Sequence, residues 1–210
     1  MLLIVTREKP NHANKLRELY DALDKRDIPY VISHTCDPAI IQRKDIRGLI
    51  IPGARIRVKQ YEIQPELDIE LYYLFHFPNL PVLGICHGCQ FLMVYYGGSL
   101  RSYNSLWSGS HEVELNLSRE RIFKDEKAHT NMHFYFHELP VAPSVSDTNT
   151  GVREIAWITQ FRDGRRHACA FEFVKDRVYG FMFHPEVNQH SHNILYNFYD
   201  NVCSSTVGSS

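Results

Sequence analysis

The chain reads as an α/β protein: a central, mostly parallel sheet flanked by helices, with added antiparallel strands. Three observations predict this. Short apolar runs alternate with amphipathic stretches through the first quarter of the chain, in β-α-β-α-β order. A further apolar run at 81–85 turns at once into a helix-like run at 88–96. From residue 111 onward the apolar period changes to two, the pattern of strands with one buried face.

Residues 2–6, Leu-Leu-Ile-Val-Thr, read as a buried first strand. Asn11 is placed to cap a helix over 12–25, with Leu16, Leu19, Tyr20 and Leu23 on one face. Residues 28–33 form a second strand, Asp37-Pro38 opens a turn or short helix, and 48–51 form a third strand ending at Pro52-Gly53. Strands joined in this way pair in parallel, with the crossover helices covering both faces. Ligands in such sheets bind beyond the carboxyl ends of the strands, where loop 52–55 and the turn at Cys86 both fall. Residues 65–76 carry Leu67, Leu71 and Leu74 at helical spacing, with Tyr72, Tyr73 and Phe75 read as packing residues. Gly97-Gly98 stops the helix over 88–96.

Strand-like alternation marks 111–115 and parts of 153–161 and 168–174, with Arg162-Asp163-Gly164-Arg165 as a hairpin turn. Residues 179–183 form another apolar strand, ending in His184-Pro185-Glu186. A last helix over 191–203 packs by Ile194, Leu195, Phe198 and Val202. Residues 1–203 are expected to be one domain and 204–210 a disordered tail.

A length of 210 residues suits one domain with a sizeable core. Apolar content of 44% and charge of 22% are those of a soluble globular protein, and a net charge of −1 gives no reason to expect a nucleic-acid or membrane partner. No apolar run reaches the length of a membrane span, and the opening Met1-Leu2-Leu3-Ile4-Val5 is too short for a signal peptide. Five cysteines, an odd number, argue for a reducing compartment over a disulfide framework, so the expected location is cytoplasmic.

The chemistry concentrates at Gly84-Ile85-Cys86-His87-Gly88, where glycines stand two residues before and two after a cysteine. That is the spacing of a strand-to-helix elbow presenting a nucleophile. A side chain at either glycine would collide with the neighbouring backbone. At the helix N-terminus, unpaired N–H groups and the helix dipole favour a thiolate. Other readings of this stretch remain open. Cys86 could be a buried residue of an ordinary βα unit, or Cys86 and Cys89 could form a thioredoxin-like dithiol. A zinc site is less well supported, because the chain has no second C-x-x-C pair.

His184-Pro185-Glu186 supplies a second half. A histidine at a strand end can reach across the crevice to a cysteine on a neighbouring elbow. Glu186 can accept the proton on its far nitrogen, setting the tautomer and stabilising the imidazolium. Pro185 stiffens the spacing. With twelve histidines in the chain, the motif alone is a weak signal, but its joint occurrence with the elbow is specific. His190 and His192 read as surface residues, not as metal ligands.

The segments Leu83-Gly84-Ile85-Cys86-His87-Gly88-Cys89-Gln90 and Phe183-His184-Pro185-Glu186 resemble the class I (triad) glutamine amidotransferase family, whose signatures are G-I-C-x-G-x-Q and F/W-H-P-E. Ile50-Ile51-Pro52-Gly53 resembles that family's oxyanion strand-loop, and Gly97-Gly98 also matches. The resemblance covers residues 2–203. It implies a flavodoxin-like fold, no cofactor, no metal and a small-molecule substrate, either glutamine or a γ-glutamyl compound. It also implies a possible synthetase subunit as partner. Carried onto this chain, Cys86 is the nucleophile, His184 the proton carrier and Glu186 the residue that orients it. Backbone N–H groups of His87 and of Gly53 or Ala54 hold the oxyanion, and Gln90 helps to seat the substrate. Cys89 becomes an elbow-helix residue, which weakens the dithiol reading.

Two departures matter. The family's oxyanion loop is often Gly-Gly, whereas Ala54 follows Gly53 here, and alanine would resist a positive φ. Residues 129–135 fall where the family has a loop whose backbone touches the substrate's α-amino and carboxylate groups, which makes His133 and Phe134 candidates for substrate binding. Three functions follow from the resemblance. One is a glutaminase feeding ammonia to a synthetase. Another is a free-standing γ-glutamyl hydrolase, for which the aromatic stretch 133–136 would line a wider mouth. The last is a degenerate regulatory subunit, which intact Cys86, His184 and Glu186 argue against. A peptidase or deglycase on this scaffold fits less well, because those usually lack the His-Pro-Glu.

Overall fold

A computed structural model describes residues 1–8, 16–59, 64–143, 151–173 and 177–204. In chain order the strands and α-helices are β1 (Leu2–Val5), α1 (Arg17–Asp24), β2 (Tyr30–Ser33), α2 (Pro38–Ile41), β3 (Gly48–Ile51), α3 (Asp68–His76), β4 (Val82–Ile85), α4 (His87–Tyr95), β5 (Ser99–Leu115), α5 (Glu120–Phe123), β6 (His129–Val141), β7 (Val152–Ile158), β8 (His167–Phe173), β9 (Val178–Phe181), β10 (Phe183–His184) and α6 (His192–Asn197). These strands form one ten-stranded sheet in the order β10-β6-β5-β7-β8-β9-β4-β3-β1-β2.

One half of the sheet is parallel: β2, β1, β3, β4 and β9. Every residue of β1, β3, β4 and β9 is buried, as continuous apolar runs covered on both faces require. The other half, from β9 through β8, β7, β5 and β6 to β10, is antiparallel. β8, β7, β5 and β6 stand between β9 and β10 in the sheet, yet only Met182 separates the two in the chain. The antiparallel half therefore curls back on itself. This curl carries residues 183–186 from the centre of the sheet to its edge strand.

The helices pack where their apolar faces direct. Leu16, Leu19 and Leu23 are buried, as are Ile194, Leu195, Phe198 and Val202 of the last helical segment, which passes from α6 into a π turn over Phe198–Val202. Tyr196 bridges the two helices, donating to the Ala22 carbonyl at 3.2 Å and receiving Arg26 on its ring face. α2 begins as its sequence directs, with the Asp37 carboxylate accepting from the Ala39 N–H and Pro38 in the first turn.

The structure departs from the sequence expectations in several places. A 3₁₀ turn over Pro65–Leu67 precedes α3, and Leu71 faces outward at 42% exposure. Tyr73 takes the buried position, where its hydroxyl shares a 2.8 Å hydrogen bond with Ser33. Phe75, read as packing, is 79% exposed. Residues 99–110 join 111–115 in one long strand with a register shift between Ser102 and Trp107. Residues 129–141 form a strand and not a loop. Asn11 and residues 12–15 of the expected first helix, and the tail beyond Ser204, lie outside the described residues, and the described helix starts at Arg17.

Candidate active site

β4 ends at Ile85 and α4 begins at His87, so the chain turns from strand to helix within one residue, Cys86. Cys86 adopts φ 52° and ψ −102°, a conformation that costs an L-residue about 1–3 kcal/mol. The surroundings enforce it. The Cys86 N–H donates to the Phe181 carbonyl on β9 at 2.7 Å, which ties the elbow to the neighbouring strand. A Cβ on Gly84 would lie 2.5 Å from the Gly88 carbonyl carbon, and one on Gly88 would overlap the Ile51 carbonyl of β3. The flanking glycines thus permit a backbone approach that no other residue allows.

Gly53, just past the end of β3, faces both halves of the site. A Cβ there would meet His184 Cε1 at 3.2 Å and Cys86 Cβ at 3.7 Å. His184 reaches this point because β10 pairs antiparallel with β6, with His184 opposite His133 and Phe183 opposite Phe134. Its Nδ1 donates to Glu186 Oε1 at 2.7 Å, so the remaining lone pair or proton resides on Nε2. Burial alone would lower the His184 pKa, but Glu186 and Cys86 outweigh it and hold the ring well above its ordinary value. The Cys86 thiol itself donates to the Tyr135 carbonyl on β6 at 3.3 Å, and His184 Nε2 has no hydrogen-bond partner among the described residues.

The same region forms a cavity of about 580 Å³. Cys86, His184, Glu186, Gly53, Ala54, Gln90 and His133 line it, together with Arg55 and Arg57 of the loop after β3 and Tyr135, Phe136, His137 and Glu138 of β6. Gln90 is nearly buried, and its Nε2 donates to the Glu138 carbonyl at 2.8 Å, linking α4 to β6. His133 has its pKa lowered, first by burial and then by His184.

Some sequence expectations change here. Phe134 does not line the cavity. β6 alternates, and Phe134 points into the core against Phe136 and Phe183. Ala54 is not among the residues with positive φ, so alanine meets no backbone penalty at that position. Cys89 is fully buried and burial pushes its thiol well above the usual range, which removes it as an accessible dithiol partner. His192 is buried and not on the surface, and its Nε2 donates to the Glu186 carbonyl at 2.9 Å. It braces the residue that holds His184. Its sequence position six residues after Glu186, on the first turn of α6, is the only hint of that contact. Among the described residues no group of three or more His, Cys, Asp or Glu side chains could hold a metal ion, and no helix is long and apolar enough to cross a membrane.

An α/β sheet carrying a strained cysteine elbow beside a histidine–carboxylate pair has the arrangement of nucleophile, base and orienting group that nucleophilic catalysis calls for. Over residues 11–202 the chain matches the family described as glutamine amidotransferase class-I, and it belongs to that family. Among curated relatives, it is 31% identical over 167 residues to a GMP synthase (glutamine-hydrolyzing) of Helicobacter acinonychis, covering 78% of this chain and 29% of the relative. It is 28% identical over 174 residues to the GMP synthase (glutamine-hydrolyzing) of Borreliella burgdorferi, covering 80% of this chain and 30% of the relative. The chain thus spans less than a third of the length of these relatives. Among solved structures, PurLQS from Thermotoga maritima superposes with a TM-score of 0.71 at 14% identity, covering 96% of this chain and 98% of that one. The Trypanosoma brucei CTPS glutaminase domain with bound acivicin superposes with a TM-score of 0.68 at 12% identity, covering 98% and 95%. These likenesses show the fold.

Proposed function

We propose that the chain hydrolyses the γ-carboxamide of glutamine to glutamate and ammonia through a thioester on Cys86, and that the ammonia passes to a synthetase. The observation that carries this reading is the shared contact at Gly53: Cys86 and His184 both lie within 4 Å of one point, with the far nitrogen of His184 bonded to Glu186 at 2.7 Å. Family membership and relatives named as glutamine-hydrolysing GMP synthases support it. Residues 1–203 would act as one glutaminase domain.

In the proposed reaction, His184 Nε2 takes the Cys86 thiol proton as Sγ attacks the carboxamide carbon. The oxyanion is held by the N–H of His87 and by that of Gly53 or Ala54, and one such donor is worth about 3–4 kcal/mol in the transition state. The C–N bond then breaks as His184 delivers its proton to the departing nitrogen, and ammonia leaves. Water, deprotonated by His184, attacks the thioester. Glutamate departs and Cys86 regains its proton. Glu186 keeps Nδ1 protonated throughout and stabilises the imidazolium, with His192 bracing it. Gln90 and His133 contact the bound amino acid from the cavity wall.

One observation favours the second reading, a γ-glutamyl hydrolase: the cavity of about 580 Å³ exceeds what glutamine alone would fill. The test is release of ammonia and glutamate from glutamine, in parallel with amine release from γ-glutamyl amides and peptides, with Cys86→Ala as control. Faster turnover of glutamine supports the glutaminase reading, and faster turnover of the larger compounds supports the hydrolase. Turnover that survives in Cys86→Ala would sink both.

A further inference from the structure

The His87 side chain takes no part in the roles above, yet it is 1% exposed and does not line the cavity. Its Nδ1 donates to the Ile56 carbonyl at 3.0 Å, in the loop after β3 that carries Gly53 and Ala54. A carbonyl only accepts, so Nδ1 carries a hydrogen. Its Nε2 lies 3.8 Å from Glu70 Oε1, and both side chains are almost fully buried. Glu70, on α3, accepts in turn from Arg7, with Nε and Nη2 at 3.0 and 2.6 Å from Oε2. Burial raises the Glu70 carboxyl, but His87 and Arg7 outweigh it and leave the group below its ordinary value. A buried carboxylate persists only where cations and donors compensate it, so Arg7 and Glu70 are kept together by the cost of separating them, and His87 Nε2, which makes no hydrogen bond among the described residues, packs against that pair at 3.8 Å.

We propose that Arg7, Glu70 and His87 form a strut, buried at Glu70 and His87 and part-buried at Arg7, that positions the oxyanion loop. The contacts join the segment after β1, the helix α3, the first residue of α4 and the loop after β3. His87 belongs to both sides of the proposed oxyanion hole: its backbone N–H is one donor, and its ring holds the loop that bears the other. The strut couples the two donors so that their spacing is set before substrate arrives, which is the condition under which such donors are effective. All three are positioning residues. The kinetic consequence rests on the glutaminase reading, whereas the structural one does not.

The test compares His87→Leu with His87→Asn in the full chain. Leucine removes the bond to Ile56, whereas the asparagine Nδ2 can stand where the histidine Nδ1 stood and donate to the same carbonyl. Hydrogen exchange of amides in 53–57 should speed up in His87→Leu and stay near the wild-type rate in His87→Asn. Glutamine turnover should fall by about 10–100-fold in kcat for leucine with KM nearly unchanged, and recover with asparagine. Alkylation of Cys86 by iodoacetamide, a displacement that forms no oxyanion, should be the same in all three proteins. Wild-type exchange in His87→Leu, or failure of asparagine to restore it, overturns the strut. So does alkylation that falls in step with turnover, since the effect would then lie on Cys86 itself. If the wild-type chain is inert toward glutamine, the glutaminase reading fails, and the exchange comparison still decides for or against the strut. If His87→Leu does not fold, Glu70→Gln takes its place. It should speed exchange in 53–57 selectively, and a uniform increase across the sheet counts against the strut.

Discussion

The two halves of the sheet contribute to the site in different ways. The parallel half holds the elbow: β4 runs into Cys86, β3 ends at Ile51 two residues before Gly53, and β9 anchors the Cys86 N–H. The antiparallel half supplies what faces it: β6 offers the Tyr135 carbonyl, and β10 delivers His184. Neither half is a site alone. The Cys86 elbow depends on close backbone packing. The histidine depends on a sheet that curls until Phe181 and Phe183, two apart in the chain, belong to strands that do not pair with each other. The rigid part of the chemistry and the part set by long-range topology are thus separable by mutation.

The largest expected effect is on the parallel side. Cys86→Ala and Cys86→Ser should each lower glutamine turnover by about a thousandfold or more, with the melting temperature nearly unchanged. Next comes the antiparallel side. His184→Ala should cost about 10²–10⁴ in kcat, and Glu186→Gln less, because the carboxylate orients while the histidine moves the proton. The pH dependence sharpens this. Burial lowers the His184 pKa, but Glu186 and Cys86 raise it further, so the folded-state value lies above the unfolded one. The stabilisation is therefore fully present below the unfolded pKa and is lost as pH rises through the folded pKa. Glu186→Gln removes the leading raising influence, so the acidic limb of the activity profile, below which His184 is already protonated and cannot take the thiol proton, should move to lower pH. An unmoved limb would mean that Glu186 does not act on His184.

Glycines give a smaller contrast, read by urea unfolding. Gly88→Ala forces a Cβ into the Ile51 carbonyl and should destabilise by about 3 kcal/mol. Gly164, in the turn between β7 and β8, has φ +69°, and a Cβ added there would meet nothing within 4 Å. Gly164→Ala should therefore cost only the left-handed penalty of about 1–2 kcal/mol. Equal costs would contradict the view that packing and not conformation demands the elbow glycines. The smallest effect lies away from the site. Burial raises the Glu126 pKa from 4.5 to about 7. A carboxyl raised in this way favours the fold when protonated, and that contribution is lost as pH rises toward 7 and beyond. Glu126→Gln should then stabilise the protein by about 1 kcal/mol in mildly alkaline buffer, after solvent screening of a half-buried group, and do nothing in mild acid.

The same division governs what was legible in the sequence. The parallel strands are continuous apolar runs, and 48–51 appears in the structure with the bounds its composition predicts. The elbow and the His-Pro-Glu are readable because glycine spacing and strand-end position are local properties. The antiparallel half is less so. Residues 99–110 alternate weakly, since β5 is half-exposed along that stretch and interrupted by a bulge. In β6, Met132, Phe134 and Phe136 are buried at a period of two, a signal that marks both the strand and the inward direction of Phe134. His192 and the His87 ring act through contacts set by tertiary packing, and nothing local beyond the closeness of His192 to Glu186 in the chain announces either.

The most direct measurement is peptide mapping after exposure to a diazoketone analogue of glutamine, which becomes a covalent adduct only where a cysteine attacks it in a glutamine site. The expected result is a single adduct on Cys86, prevented by excess glutamine and lost in His184→Ala. No adduct, or one on the exposed Cys36 that glutamine does not block, would contradict the assignment of this cavity as a glutamine-hydrolysing site.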